Sequence, residues 1–187
     1  INAGLVGSEM CIRDSYESPI KDHNYLITVD VARGLGNDYS AFIVFDITNF
    51  PYKAVAKYRN NEIKPMLFPS IIDDIGKAYN KAFILCEVND IGDQVASILN
   101  YDLEYDNLLM CSQRGRAGQV VGAGFSGKRS QLGVRTTAAV KKLGCSNLKT
   151  LLEDDKILII DYDIISELTT FSQKHNSFEA EEGLSLI

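Results

Sequence analysis

The sequence predicts an α/β domain: a mixed sheet whose first three strands run antiparallel, with helices on both faces. Three features point to it. Three apolar runs of strand length follow one another closely near the start of the chain. Helical and strand periodicities then alternate towards the end. Two acids, Asp30 and Glu87, stand at the ends of two of the most apolar runs. At 187 residues the chain fits one domain with a proper core.

The run from Tyr25 to Ala32 reads as a buried strand interrupted only by Asp30. A turn rich in glycine and Asx residues follows, ending at Asp38. Tyr39 to Thr48 is a strand apolar on both faces, and the turn at Asn49 to Pro51 returns the chain. Lys53 to Tyr58 carries its lysines on one face, which suits an exposed edge strand. Pro69 opens a helix with Ile71, Ile72, Ile75, Ala78 and Tyr79 on one side. The second acid-bearing run, Ala82 to Val88, is a strand read as buried, and Ile91, Val95, Ile98 and Leu99 have helical spacing after it. Asn107 to Cys111 is a further strand, and a glycine-rich hairpin loop leads on to Thr136. Thr136 to Leu152 is helical, with a break expected at Gly144 to Ser146, where Ser146 caps a second helix. Lys156 to Ile160 is a short strand. Asp161 then caps a helix that turns Ile164, Ile165, Leu168 and Phe171 inward. A three-stranded meander followed by alternating helices and strands is the order of the RNase H-like fold. There the first and fourth strands lie side by side, which would bring Asp30 and Glu87 together across 57 residues of sequence.

An ionised carboxylate in an apolar strand is costly unless a cation or hydrogen-bond donors compensate it. Two such acids converging at a sheet end suggest a divalent metal site. The plainer role, capping a turn, stands level with an auxiliary metal role for Asp38, whereas for Asp30 the apolar context and Glu87 favour the metal role.

The net charge of −6 is unevenly spread. From Ser112 to Leu152 there is no acid, while Arg114, Arg116, Lys128, Arg129, Arg135, Lys141, Lys142 and Lys149 are basic. Such segregation is the footprint of a phosphate-binding face on an acidic protein, and a chance bias in a solvated loop is the lesser reading. No apolar stretch is long enough for a bilayer span. Cys11, Cys86, Cys111 and Cys145 have no paired spacing, which argues against structural zinc and for reduced thiols.

The genuine chain, about Tyr25 to Gly183, resembles the C-terminal nuclease domain of the large terminase of tailed phages. The matching segments are Ile27 to Tyr39, Cys86 to Asn89, Gly133 to Thr137, Gly144 to Lys149 and Phe178 to Gly183. The resemblance implies an endonuclease that cuts concatemeric double-stranded DNA during genome packaging, with two Mg²⁺ or Mn²⁺ ions held by three acids. Asp30 and Glu87 fall on the first two acids, and Asp38 is an auxiliary candidate. The basic residues Arg114, Arg116, Lys128, Arg129, Arg135 and Lys141 would track DNA. The same resemblance implies a portal protein, a small terminase subunit and an upstream ATPase domain as partners, in the host cytoplasm.

Both ends depart from the pattern. Residues 1–15 and 184–187 read as non-native, adapter-derived sequence, leaving 16–183 as a nuclease domain without its last helix. The third acid would follow Gly183. Asp161, Asp163, Glu179, Glu181 and Glu182 do not match its position, so this polypeptide is expected to be inactive as written.

Two rival readings fit parts of the sequence. One is a non-catalytic DNA-binding or docking module of the same fold. The other is a phosphotransferase or ATPase fragment of the RNase H-like kind, which would need a second domain to close over the nucleotide. The phosphate-loop spacing of Gly122 to Arg129 fails, since Arg129 stands where Ser or Thr should hold magnesium.

Overall fold

The computed structural model of the chain describes residues 14–36, 38–113, 119–123, 130–174 and 177–179. Its main sheet has β1 (Asp14–Ser15), β2 (Tyr25–Asp30), β3 (Ser40–Asp46), β4 (Tyr52–Asn60), β5 (Phe83–Cys86) and β9 (Ile157–Leu158). The order is β1-β4-β3-β2-β5, with β9 also paired to β4. β2, β3 and β4 form the antiparallel meander, and β5 lies parallel to β2 from Leu26 with Phe83 to Val29 with Cys86. The predicted adjacency of first and fourth long strands is therefore present.

Alternation along β2 buries Tyr25, Ile27 and Val29 and turns Leu26, Thr28 and Asp30 to the other face. On the first face Phe42 stacks on Tyr58 at 5.1 Å and on Phe68 at 6.1 Å. Phe68 begins α1 (Phe68–Ala78), whose Ile72 and Ile75 are fully buried beside Val95 of α2 (Gly92–Ser97). Leu99 joins them from the π-helical turn Ile98–Asp102 that continues α2. Each such side chain contributes roughly 1.5–3 kcal/mol when taken out of water.

The second face carries α3 (Ala138–Glu153) and α4 (Tyr162–Thr170). A groove of about 720 Å³ runs between them, lined by Val140, Leu148, Ile164, Leu168, Phe171 and Ile43 of the sheet among others. Beyond β5 a second sheet, in the order β7-β6-β8, is formed by β6 (Leu109–Gln113), β7 (Gln119–Ala123) and β8 (Ser130–Leu132). A short hairpin, β10 (Ser172–Lys174) with β11 (Ser177–Glu179), follows α4.

Several expectations need correction. β4 is no exposed edge: β3 flanks it on one side, β1 and β9 share the other, and Lys57 is only 2% exposed. Its ammonium donates to Asp161 Oδ1 at 2.8 Å, Asp161 Oδ2 at 2.9 Å and Asp163 Oδ2 at 3.0 Å. Tyr16 also donates to Asp161. These partners lie more than 100 residues away, so local patterning could not reveal that the lysine is compensated inside. The stretch before Thr136 is more than a loop, because β7 and β8 pair on either side of β6. α3 runs unbroken through Gly144 and Ser146, with Thr137 as its cap accepting from Val140 N–H at 3.3 Å. Asp161 caps α4 as expected, accepting from Ile164 N–H at 2.8 Å, but Ile165 points to solvent. Lys156 to Ile160 contributes only two strand residues. At the start of the described residues, Asp14 and Ser15 pair with Lys57 and Ala56.

Among the described residues, no helix is long and apolar enough to cross a membrane. Cys86, Cys111 and Cys145 are free thiols.

Candidate metal centre

Asp30 is the last residue of β2, and Glu87 follows β5 directly. The backbone N–H of Glu87 donates to the Val29 carbonyl at 2.9 Å, extending the parallel ladder one rung and setting its side chain beside Asp30. The two carboxyl groups are close enough for the charge of Glu87 to act strongly on Asp30. Both line a cleft of about 250 Å³ with Thr28, Ala41, Val134 and Thr136.

One expectation shifts here. Asp30 is not enclosed by the core: it stands on the second face and opens to solvent. It is nonetheless crowded by protein atoms in the cleft. That crowding, then the charge and hydrogen bond of Glu87, push its carboxyl up to about 6. A hydrogen bond from the Val31 backbone acts the other way, and the charge of Asp38 adds the smallest contribution.

The turns after the two strands are tied together. Ser40 Oγ, fully buried, accepts from Ala32 N–H at 3.0 Å and holds the chain just past Asp30 against β3. Arg33 makes a two-pronged ion pair with Asp90, 2.7 Å on each prong, joining the loop after β2 to the loop after β5. Gly92 packs so closely under Glu87 that a Cβ there would sit 2.0 Å from the Glu87 carbonyl oxygen.

Asn89 fixes the Glu87 carboxylate by donating Nδ2 to Oε1 at 2.7 Å. The same Nδ2 donates to the Thr136 carbonyl at 3.0 Å. Gly133 and Val134 complete the wall: Val134 N–H donates to the Cys86 carbonyl at 2.8 Å, and Val88 N–H to the Val134 carbonyl at 2.9 Å. Gly133 has φ +76°, and a Cβ there would lie 2.2 Å from the Cys86 carbonyl oxygen.

A pair of carboxylates pressed together is the arrangement a divalent cation relieves, and the charge of Glu87 is the largest Coulombic contribution acting on Asp30. All side-chain donors of the pair are oxygen, which suits a hard ion. Asp38 is exposed and does not join them: among the described residues no group of three or more His, Cys, Asp or Glu is placed to hold a metal. Asp161 and Asp163 are engaged with Lys57.

Of the basic candidates, Arg135 is exposed, directly after the cleft residue Val134. Lys141 instead lies over the Phe171 ring, 5.9 Å from its centroid, in the α3–α4 groove. Arg114, Arg116, Lys128 and Arg129 fall outside the described residues.

Sequence reading assigned no role to Asn89, Ser40, Gly92 or the Arg33–Asp90 pair. An amide two residues past a strand-end acid was a usable signal for Asn89. The others depend on which loops meet.

Residues 27–185 match the family described as the terminase RNaseH-like domain. Three structures of the large terminase nuclease from thermophilic phage G20c are similar to this chain. The one with bound cobalt is 21% identical with a TM-score of 0.65, covering 90% of this chain and 77% of that one. The one with bound magnesium is 19% identical, with a TM-score of 0.66 and coverages of 89% and 76%. The one with bound zinc is 21% identical, with a TM-score of 0.62 and coverages of 84% and 76%. At these identities the likeness speaks for the fold, which is RNase H-like. The family match, spanning nearly the whole sequence, speaks for descent: the chain belongs to the terminase RNaseH-like domain family.

Proposed function

We propose that this chain is the metal-dependent endonuclease domain of a phage large terminase, cutting concatemeric double-stranded DNA during packaging. One observation carries the reading: in a chain of this family, Asp30 and Glu87 meet at the ends of two adjacent parallel strands.

Asp30 and Glu87 would together hold the divalent ions, Mg²⁺ or Mn²⁺, at the cleft they line. When bound, such ions supply an activated water and stabilise the oxygen that leaves. Asn89 orients Glu87, and Ser40 holds the chain behind Asp30, so neither carboxylate must be recruited at the moment of reaction. Arg135 at the cleft edge is suited to a backbone phosphate, giving salt-sensitive binding with little sequence preference. The host cytoplasm, a portal protein, a small subunit and an upstream ATPase belong to the same reading.

The test is duplex DNA cleavage with Mg²⁺ or Mn²⁺, with zinc added as a competitor. Asp30→Ala and Glu87→Gln are each expected to abolish cleavage while DNA binding persists. Cleavage at the wild-type rate by either variant would overturn the assignment.

A second reading, a module that grips DNA without cutting it, is favoured by the absence of a third acid beside the pair among the described residues. A wild-type chain that binds duplex DNA yet leaves it uncut with either metal would support that reading.

A further inference from the structure

Ala41 of β3 pairs with Asp30 on one side and with Arg59 on the other. Directly paired residues share a face of the sheet. Glu87 is on that face too, two residues beyond Leu85, which pairs with Thr28. Glu87, Asp30, Ala41 and Arg59 therefore form one row across the open end of the sheet. The next pair along, Phe42 stacked on Tyr58, lies on the opposite, α1-covered face, as the alternation requires.

Strands are spaced ~4.8 Å apart, so the Arg59 backbone stands about 10 Å from that of Asp30. That span is roughly three nucleotides of axial rise at ~3.4 Å each. Ala41 between them is buried and too small to fill the space above itself, and it lines the cleft. The Arg59 guanidinium lies 4.6 Å from the centroid of the Tyr39 ring. This contact holds a planar, permanently charged fork at the rim and limits the freedom lost when it takes up a ligand. Arg59 lies outside the run of basic residues from Ser112 to Leu152, so charge counting along the sequence passes over it.

We infer that Arg59, oriented by Tyr39, is a positioning residue that grips a backbone phosphate of the strand whose scissile bond lies at Asp30 and Glu87. The inference rests on the nuclease reading above. It adds which cation sets the register of the DNA against the acids.

The test is fluorescence anisotropy of a labelled DNA duplex with the full chain in EDTA, titrated with salt, so that binding is read without cleavage. Each phosphate contact contributes ~0.9 to the slope of log affinity against log salt. Arg59→Ala should reduce the slope by about that amount and weaken binding by about tenfold at moderate salt. Arg59→Lys should keep the slope, because the charge remains. Tyr39→Ala should keep the slope and lose part of the affinity, because the charge remains while the ring contact that helps orient the guanidinium is gone. Circular dichroism checks folding; should Arg59→Ala not fold, Arg59→Lys and Tyr39→Ala carry the test, and unchanged affinity in both overturns the inference. A folded Arg59→Ala with wild-type slope and affinity also overturns it, leaving the nuclease reading in place. Wild-type protein without salt-dependent DNA binding would remove that reading and the inference together.

Discussion

Asn89 Nδ2 lies 2.7 Å from Glu87 Oε1 and 3.0 Å from the Thr136 carbonyl, so one amide ties the second acid to the segment that leads into α3. Glu87 is thereby held in a single orientation before any cation arrives. Removing that amide should weaken metal binding without removing a ligand. Asn89→Ala is expected to reduce Mn²⁺ affinity by about 10-fold, the lower end of the usual effect of losing a ligand's hydrogen-bond partner. Isothermal calorimetry measures it; unchanged affinity would show that Glu87 needs no such support.

The Asp30 carboxyl is raised to about 6, so under the proposed reading of Asp30 as a ligand metal binding would depend on pH. An acid raised in the folded state keeps its proton longer when folded than when unfolded. Its contribution to metal-free stability is therefore full below about pH 4 and is lost as pH rises through about 6. A divalent cation needs the ionised form, so its effect runs the opposite way. The increase in Tm on adding Mg²⁺ or Mn²⁺ should be small near pH 5 and complete above about pH 7. Thermal melts across that range decide the matter: an increase that does not change with pH would count against Asp30 as a ligand, and Asp30→Asn should abolish the increase.

Lys57 and Asp161 form a buried ion pair joining the central sheet to α4. Deleting one partner strands the other's charge. Lys57→Ala should cost about 3 kcal/mol in urea unfolding, at the lower end of what breaking such pairs costs. Asp163→Ala should cost under about 1 kcal/mol, since Asp163 is largely solvated and Asp161 still compensates the lysine. Equal losses would mean the burial of Asp161 is not what matters.

Two glycines should respond in opposite directions to alanine. Gly133→Ala forces a side chain against the Cys86 carbonyl at positive φ and should destabilise by at least about 1–3 kcal/mol. It should also weaken metal binding, because the Cys86–Val134 bridge adjoins Glu87. Gly144 sits inside α3 with nothing within 4 Å of an added Cβ. Gly144→Ala should stabilise by roughly 0.5–1 kcal/mol. Destabilisation by Gly144→Ala would mean α3 is interrupted there, as its sequence suggested.

Much of the molecule was legible along the chain. Apolar runs of strand length located the meander, and helical spacing located α1 and α4, because such patterns report which residues are withdrawn from water. Element order placed the first and fourth long strands together, and so paired Asp30 with Glu87. The family match over residues 27–185 bears out the family that the separated motifs indicated. What the linear order could not carry were relationships made by contact. Lys57 looked like an edge residue until Asp161 and Asp163, distant in sequence, came to meet it. Gly144 looked like a break because glycine is a poor helix former, yet its flanking residues continue α3. Asp30 looked enclosed, but its place in the β2 alternation turns it to the open face, where only cross-strand register reveals Arg59 in the same row. Local patterns report which way a side chain tends to face. Which charges finally stand beside one another depends on distant segments packing together, and the tertiary fold alone decides that.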